Sequence, residues 1–371
     1  MSTQPVWWTS PQAQEDGPGP AGVEQGVEAD VCVVGLGGSG LSAVIEALRL
    51  GRSVVGVDAG PIAGGAAGRN GGFLLAGAPD FHHTAVARLG RERAAAVYRL
   101  TLDELARTPQ MHPVGSLRLA DDGAELDDCA AMLRALHADG FAAEWHDGPE
   151  GQGVFMPHDG AFDPLARCRD LAAHATAEGA RLFEHTPALD IAAHRVTTPS
   201  GPVECGAVVV AVDGGLERVL PELHGRVRTA RLQMLATAPV AATITTRPVY
   251  ARYGYDYWQQ LPSGALALGG CRDRFADDEW SFDPTPTEPV QACLDQLARR
   301  LADAPVTHRW AGCVGFTPTR MPVCEELPTR PGVVATGGYC GTGNVLGALC
   351  GRAAVRLALN EPLGDLRVLL S

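Results

Sequence analysis

The chain contains no lysine: all 30 of its basic residues are arginine. A coding bias toward arginine accounts for that, yet the chemical consequence stands. A Schiff-base lysine, a pyridoxal phosphate anchor, a phosphate-loop lysine and a lysine general base are all excluded. The ten cysteines include no C-x-x-C pair and no Cys/His spacing suited to zinc, so free thiols in a reducing cytoplasm and no metal site are expected. Residues 1–10 lack a basic stretch followed by an apolar run, which predicts no secretory leader. No segment reaches the ~20 uninterrupted apolar residues of a membrane span. A formal charge of −13 and a pI near 5.3 leave no basic surface for nucleic acid or anionic membrane.

What is present is a globular composition: 371 residues, 46% hydrophobic and 20% charged, enough for two domains or one large α/β domain. The 45 glycines cluster at 35–40, 64–72 and 337–343, a usage that suits backbone lying close to a ligand. Residues 1–26 read as an irregular arm that Trp7 and Trp8 could pin to the body. Beyond it, Val31–Val34 predicts a strand, Leu41–Leu50 a helix, and Ser53–Val57 a second strand ending at Asp58. A single long helix is expected over 84–107, with others near 124–139, at 164–178 with Pro164 in its first turn, and at 285–303. Strands are expected at Gly115–Leu119, 181–184 and 207–211. Between 226 and 311 alternating strands carry Tyr250, Tyr253, Tyr255, Tyr257 and Trp258, and the alternation would put Tyr253, Tyr255 and Tyr257 on one face. A strand at 333–336 then runs through glycines into a last helix over 342–359.

Gly35-Leu36-Gly37-Gly38-Ser39-Gly40 is a G-x-G-x-x-G motif, weak alone. Here it lies between a strand and a helix, with Asp58 ending the next strand. That register predicts a dinucleotide whose pyrophosphate meets the helix N-terminus and whose ribose hydroxyls meet Asp58. A nicotinamide enzyme usually needs only a short connection after the acid. The long loop Gly64–Gly72 suggests backbone packed along a larger cofactor.

With that loop the sequence resembles the FAD-dependent amino-acid and amine oxidases of the sarcosine oxidase, glycine oxidase and D-amino-acid oxidase type. Ala67-Gly68-Arg69-Asn70-Gly71-Gly72 is most similar to the γ-glutamylputrescine oxidase-like branch. The resemblance continues through Gly115-Ser116-Leu117, Asp163-Pro164, Val208–Ala211, Trp310-Ala311-Gly312 with Thr317-Pro318 and Met321-Pro322-Val323, and Gly337–Gly343. It implies non-covalent FAD contacted by Gly35, Gly37, Gly38, Ser39, Gly40, Asp58, Ala67, Gly68, Arg69, Asn70, Gly71, Gly72, Leu189, Ala211, Gly312, Gly338, Gly341, Thr342, Gly343 and Asn344. Amides of Gly341–Asn344, at a helix start, would stabilise negative charge on the reduced ring. Cys313 lies one residue away from the position where some relatives tether the flavin, and is expected to be a buried structural thiol. Relatives place lysines at the substrate carboxylate and at the oxygen site; Val345 stands at the first position, and Arg272 or Arg274 is the substitute considered for the second.

The fold implied is α/β. A glutathione-reductase-like Rossmann domain for FAD would be built from 27–82, 151–222 and 312–371. A discontinuous α+β substrate domain on a mixed or antiparallel sheet would take 83–150 and 223–311. The activity implied is oxidation of an amine or amino acid by hydride transfer to flavin N5, imine hydrolysis and reduction of oxygen to hydrogen peroxide. Arg69, Tyr255, Tyr257, Arg272 and Tyr339 are its candidate catalytic or substrate contacts. A dehydrogenase of the same fold with another electron acceptor is the alternative, and a flavin-binding protein without turnover a more distant one. Peroxide yield compared with dye reduction separates the first two.

Overall fold

The structure, a computed structural model, describes residues 1–9 and 26–370. Most of the expected N-terminal arm, residues 10–25, lies outside the described residues. The chain divides into two compact units. One, the parallel-sheet unit, comprises the described residues up to Gly68 from 26, then 164–229 and 314–370. The other, the mixed-sheet unit, comprises 1–9, 69–163 and 230–313.

In the parallel-sheet unit, strands Val333–Gly337, Gly201–Val210, Val27–Val34, Val54–Val57 and Arg181–Phe183 lie side by side and parallel. Val323–Glu326 adds an antiparallel edge, and a hairpin of Asp190–Ala192 and Arg195–Thr198 hangs on Gly201–Val210. Val31, Cys32, Val33 and Val34 are all buried, as befits a central parallel strand covered on both faces. Helix Gly38–Arg49 packs on Ala348–Ala358 and Pro164–Ala177. The expected last helix is instead a π-helical turn, Gly343–Gly347, leading into Ala348–Ala358.

The mixed-sheet unit is built on eight strands in the order Val306–Phe316, Arg228–Pro239, Ala265–Gly270, Asp256–Gln260, Val249–Ala251, Ser116–Leu119, Gly151–Met156, Glu144–Gly148. All the registered pairings are antiparallel except Val249–Ala251 with Ser116–Leu119. Period-2 alternation sorts the side chains. Leu117, Leu119, Val249, Leu266 and Leu268 form a core with Val290, Leu294 and Leu297 of helix Glu288–Leu301. Arg118, Tyr250 and Tyr257 point to the other face of the sheet.

Four expectations are corrected. The helix over 84–107 is two helices, His82–Leu89 and Arg91–Ala106, because Gly90 sits at φ +80° and turns the chain. Tyr253, Tyr255 and Tyr257 do not share a strand face. Tyr253 is in the turn Arg252–Gly254 at φ +56°, the strand begins only at Asp256, and Tyr253 and Tyr255 are 48% and 38% exposed. The thiols are not all free: Cys271 and Cys293 form a disulfide between the turn after Gly270 and helix Glu288–Leu301. Finally, the segment 144–156, which carried no predicted strand, is a hairpin of two.

Residues 1–9 belong to the mixed-sheet unit. The Ser2 amide donates to Thr307, and the Arg309 amide to Ser2. Trp7 is buried and its Nε1 donates to the Asn70 carbonyl at 3.0 Å, so the arm holds the glycine loop as the two tryptophans suggested.

Candidate functional site

The parallel-sheet unit carries a glycine cradle that its geometry explains residue by residue. Gly35 has φ +98°, and a Cβ there would lie 2.7 Å from the Ala211 carbonyl oxygen. A Cβ on Gly40 would lie 1.8 Å from the Gly35 oxygen, closer than any side chain allows. Gly37 caps the helix, and the first amide to find a helical acceptor is that of Leu41, which donates to Gly37. The amides of Gly38, Ser39 and Gly40 therefore face out of the helix end. A Cβ on Gly38 would meet nothing within 4 Å, so the approach there is open. This is a cradle for an anion, with the dipole of a 12-residue helix behind it.

Asp58 is placed by the same turn. Its Oδ2 accepts from the Leu36 amide at 2.7 Å and its Oδ1 from the Gly60 amide at 2.9 Å. Burial raises its pKa, while those two amides pull the other way. Each carboxylate oxygen keeps further acceptor capacity for a hydroxyl. Ala67 closes the cradle, its Cβ 3.2 Å from the position a Cβ would take on Gly37, and Gly68 is tied to the Ala63 carbonyl at 3.0 Å.

The C-terminal glycine run joins this cradle through side chains. Ser39 Oγ and the Tyr339 hydroxyl are 2.7 Å apart, and Thr336 Oγ1 lies 3.1 Å from the same hydroxyl. Tyr339, expected to be a catalytic residue, is only 3% exposed, and burial drives its pKa well above the ordinary value. It ties two motifs together rather than offering a reactive hydroxyl. Gly338 and Tyr339 donate their amides to Asp213 Oδ1 at 2.8 and 3.0 Å, and burial pushes the Asp213 carboxyl up to about 6. Gly341 has φ +89° with nothing within 4 Å of a Cβ. Thr342 Oγ1 donates to Tyr339, and Arg167 Nη1 donates to the Asn344 carbonyl at 2.8 Å, fixing the turn Gly343–Gly347. Asp213 escaped the sequence reading, although an acid three residues past a buried strand and just before Gly214-Gly215 was a usable signal.

Of the other expected contacts, Ala211 sits against Gly35, but Leu189 is a surface side chain, 64% exposed. The second half of the glycine loop belongs to the mixed-sheet unit. There Trp310 Nε1 donates to the Arg69 carbonyl at 2.7 Å. Arg69 donates to the Ala311 carbonyl, and its guanidinium lies 5.3 Å from the Trp8 ring. Asn70 Oδ1 accepts from the Gly72 amide at 2.9 Å. Gly72 has φ +72°, and a Cβ would strike the Phe162 oxygen at 2.5 Å. Gly71 lies on the Tyr257 ring, 3.4 Å from its nearest carbons to a Cβ position, and its carbonyl accepts from Gln259 Nε2. Gly312 is buried in its strand beside Cys313, a half-buried reduced thiol that burial pushes up to about 11. Arg272 is held over Trp280 at 5.1 Å and Tyr255 at 6.0 Å. Among the described residues no group of three or more His, Cys, Asp or Glu could hold a metal, and no helix is long and apolar enough to cross a membrane.

The cradle and the acid fit the phosphates and ribose of a dinucleotide. Comparison with known proteins agrees. The family model for DAO, FAD dependent oxidoreductase, matches residues 30–357. A probable oxidoreductase OrdL of Rhizobium meliloti is 26% identical, covering 90% of this chain and 84% of its own. Gamma-glutamylputrescine oxidoreductase of Escherichia coli is 24% identical over the same shares of both chains. The crystal structure of glycine oxidase from Geobacillus kaustophilus, at 20% identity, superposes with a TM-score of 0.75, covering 91% of this chain and 96% of that one. The chain belongs to the DAO family of FAD-dependent oxidoreductases, and FAD is its cofactor.

Proposed function

We propose that this oxidoreductase oxidises the C–N bond of an amine or amino acid and passes the electrons to oxygen, releasing hydrogen peroxide. The observation that carries the reading is the seat of Gly71 on Tyr257. A backbone loop of the flavin-oxidase pattern lies directly on an aromatic sheet face, with Tyr250 and Tyr257 stacked 5.8 Å apart. Such a face attracts an ammonium group through its ring quadrupoles. The relatives point the same way, one named for γ-glutamylputrescine and a fold neighbour for glycine.

We assign FAD binding to Gly35–Gly40, Asp58 and Gly341–Asn344 of the parallel-sheet unit, and amine contact to Tyr250 and Tyr257 of the mixed-sheet unit. When bound, FAD supplies the two-electron oxidation. The protein's part is position and charge. The amides at Gly38–Gly40 hold the pyrophosphate, and those opening the turn at Gly343 oppose negative charge. Tyr250 and Tyr257 are pushed up by burial and remain protonated, so their rings draw in the ammonium form and do not act as the base that neutralises it. Arg272, its charge held against Tyr255 and Trp280, takes the role of the absent lysine in oxygen reduction.

The absence of lysine favours a second reading, a dehydrogenase with a different acceptor. Stoichiometric peroxide during aerobic turnover of an amine supports the oxidase. Brisk dye reduction with no peroxide assigns the dehydrogenase. Flavin that no amine bleaches under argon removes both.

A further inference from the structure

The face of the mixed sheet opposite helix Glu288–Leu301 carries one polar anomaly. In register across adjacent strands stand Arg118, Tyr250, Tyr257 and Gly269. Phe73 meets both tyrosines edge-on at 5.4 and 6.0 Å. At the end of this row the Arg118 guanidinium lies 5.9 Å from the Tyr250 ring and 5.6 Å from the Phe81 ring.

Arg118 differs from three other arginines of this unit. Arg231 is paired with Glu279, Arg252 with Asp256 and Asp273, and Arg309 with Asp295. Among the described residues Arg118 has no carboxylate within ion-pair distance, and its Nε is buried without a hydrogen-bond partner. The acid nearest in character, Asp159, is already committed: it accepts from Ser116 Oγ at 2.6 Å and the Ala76 amide at 2.8 Å. Asp159 acts on this cation only through its field, so a guanidinium walled by aromatic rings, with a buried donor unused, favours a direct anionic partner. Its planar fork matches a carboxylate bidentately.

We propose that Arg118 receives a carboxylate carried by the substrate at a distance from the amine that reacts. The inference rests on the amine reading above and specifies its substrate class. Tyr257, under Gly71, and Arg118 lie on strands two apart, a backbone separation of about 10 Å. The Tyr257 ring, the Tyr250 ring and the Arg118 guanidinium follow one another at 5.8 and 5.9 Å. An amine seated at Tyr257 and a carboxylate on Arg118 are therefore best joined by an amino acid with several bonds between its two groups, its methylenes lying along Tyr250.

The test is calorimetric titration of the FAD-loaded protein with 5-aminopentanoate and with pentylamine, which lacks the acid. The wild-type protein is expected to bind 5-aminopentanoate about ten to a hundred times more tightly. R118M should close that gap, and R118K, charged but without the fork, should leave an intermediate one. R118K also carries the test if R118M does not fold. Equal affinities in the wild type, or an undiminished gap in the folded variants, overturn the proposal. Flavin bleaching under argon is scored separately. Bleaching by pentylamine without an acid preference overturns the Arg118 assignment alone. A calorimetric gap without bleaching by any amine supports that assignment while removing the amine oxidation beneath it.

Discussion

Ser39 and Tyr339, 300 positions apart, share a buried hydrogen bond of 2.7 Å. Ser39 belongs to the first turn of the helix that opens the dinucleotide cradle, and Tyr339 to the last glycine run. Through this bond, and through Thr336 on the same hydroxyl, the first and last glycine motifs are tied together. Y339F removes the hydroxyl and leaves two buried hydroxyls short of a partner. The expected cost is about 1–3 kcal/mol in urea denaturation, together with faster loss of FAD on dilution. A variant as stable as wild type and equally retentive contradicts that role.

The glycines of the cradle differ in what they tolerate, and two alanine variants separate the reasons. G40A drives a methyl into the Gly35 carbonyl, so the turn must distort and the apoprotein should lose stability. G38A has open space and should fold normally while binding FAD at least about tenfold more weakly, since the methyl occupies the pyrophosphate's approach. Titration of both apoproteins with FAD, alongside thermal melts, checks the contrast.

Asp159 titrates in a buried place. Burial pushes its carboxyl up to about 6, with Ser116, the Ala76 amide and Arg118 pulling the other way. Because the folded value lies above that of the unfolded chain, about 3.9, the folded state holds the proton more tightly. Its favourable contribution is full below about pH 4 and is lost as pH rises through about 6. D159N does not titrate. The stability of wild type relative to D159N should therefore be greater at pH 5 than at pH 7.5, by about 1.4 kcal/mol. A relative stability that rises with pH has the wrong sign for this account.

The Cys271–Cys293 bond closes a loop of sequence separation 22. Reduction should lower unfolding stability by about 3 kcal/mol, and C271S should be insensitive to dithiothreitol. A wild-type protein that dithiothreitol leaves unchanged would mean that the thiols are not paired in solution.

How much of this was legible beforehand follows from the range of each interaction. The βαβ fingerprint from Asp30 to Asp58 was readable because strand, tight turn and helix cap are local: Gly35 answers to its φ of +98° and Gly40 to the Gly35 carbonyl in the same turn. The family resemblance carried FAD and the α/β fold for the same reason: its motifs are short and keep their order. The tyrosines of 253–257 misled because alternation continued on paper past Asp256, where the real strand begins. Likewise, nothing in the spacing of Cys271 and Cys293 distinguished them from eight cysteines that stay reduced. Sequence by itself determined the glycine turn with its helix cap and the class of fold, since most of the backbone geometry there is set by neighbours a few residues away. Only the tertiary structure decided that Tyr339 is a brace, that Asp213 holds the last glycine turn, and that Arg118 stands in line with Tyr250 and Tyr257. Those relationships depend on strand register and on partners more than a hundred residues distant, which no local pattern encodes.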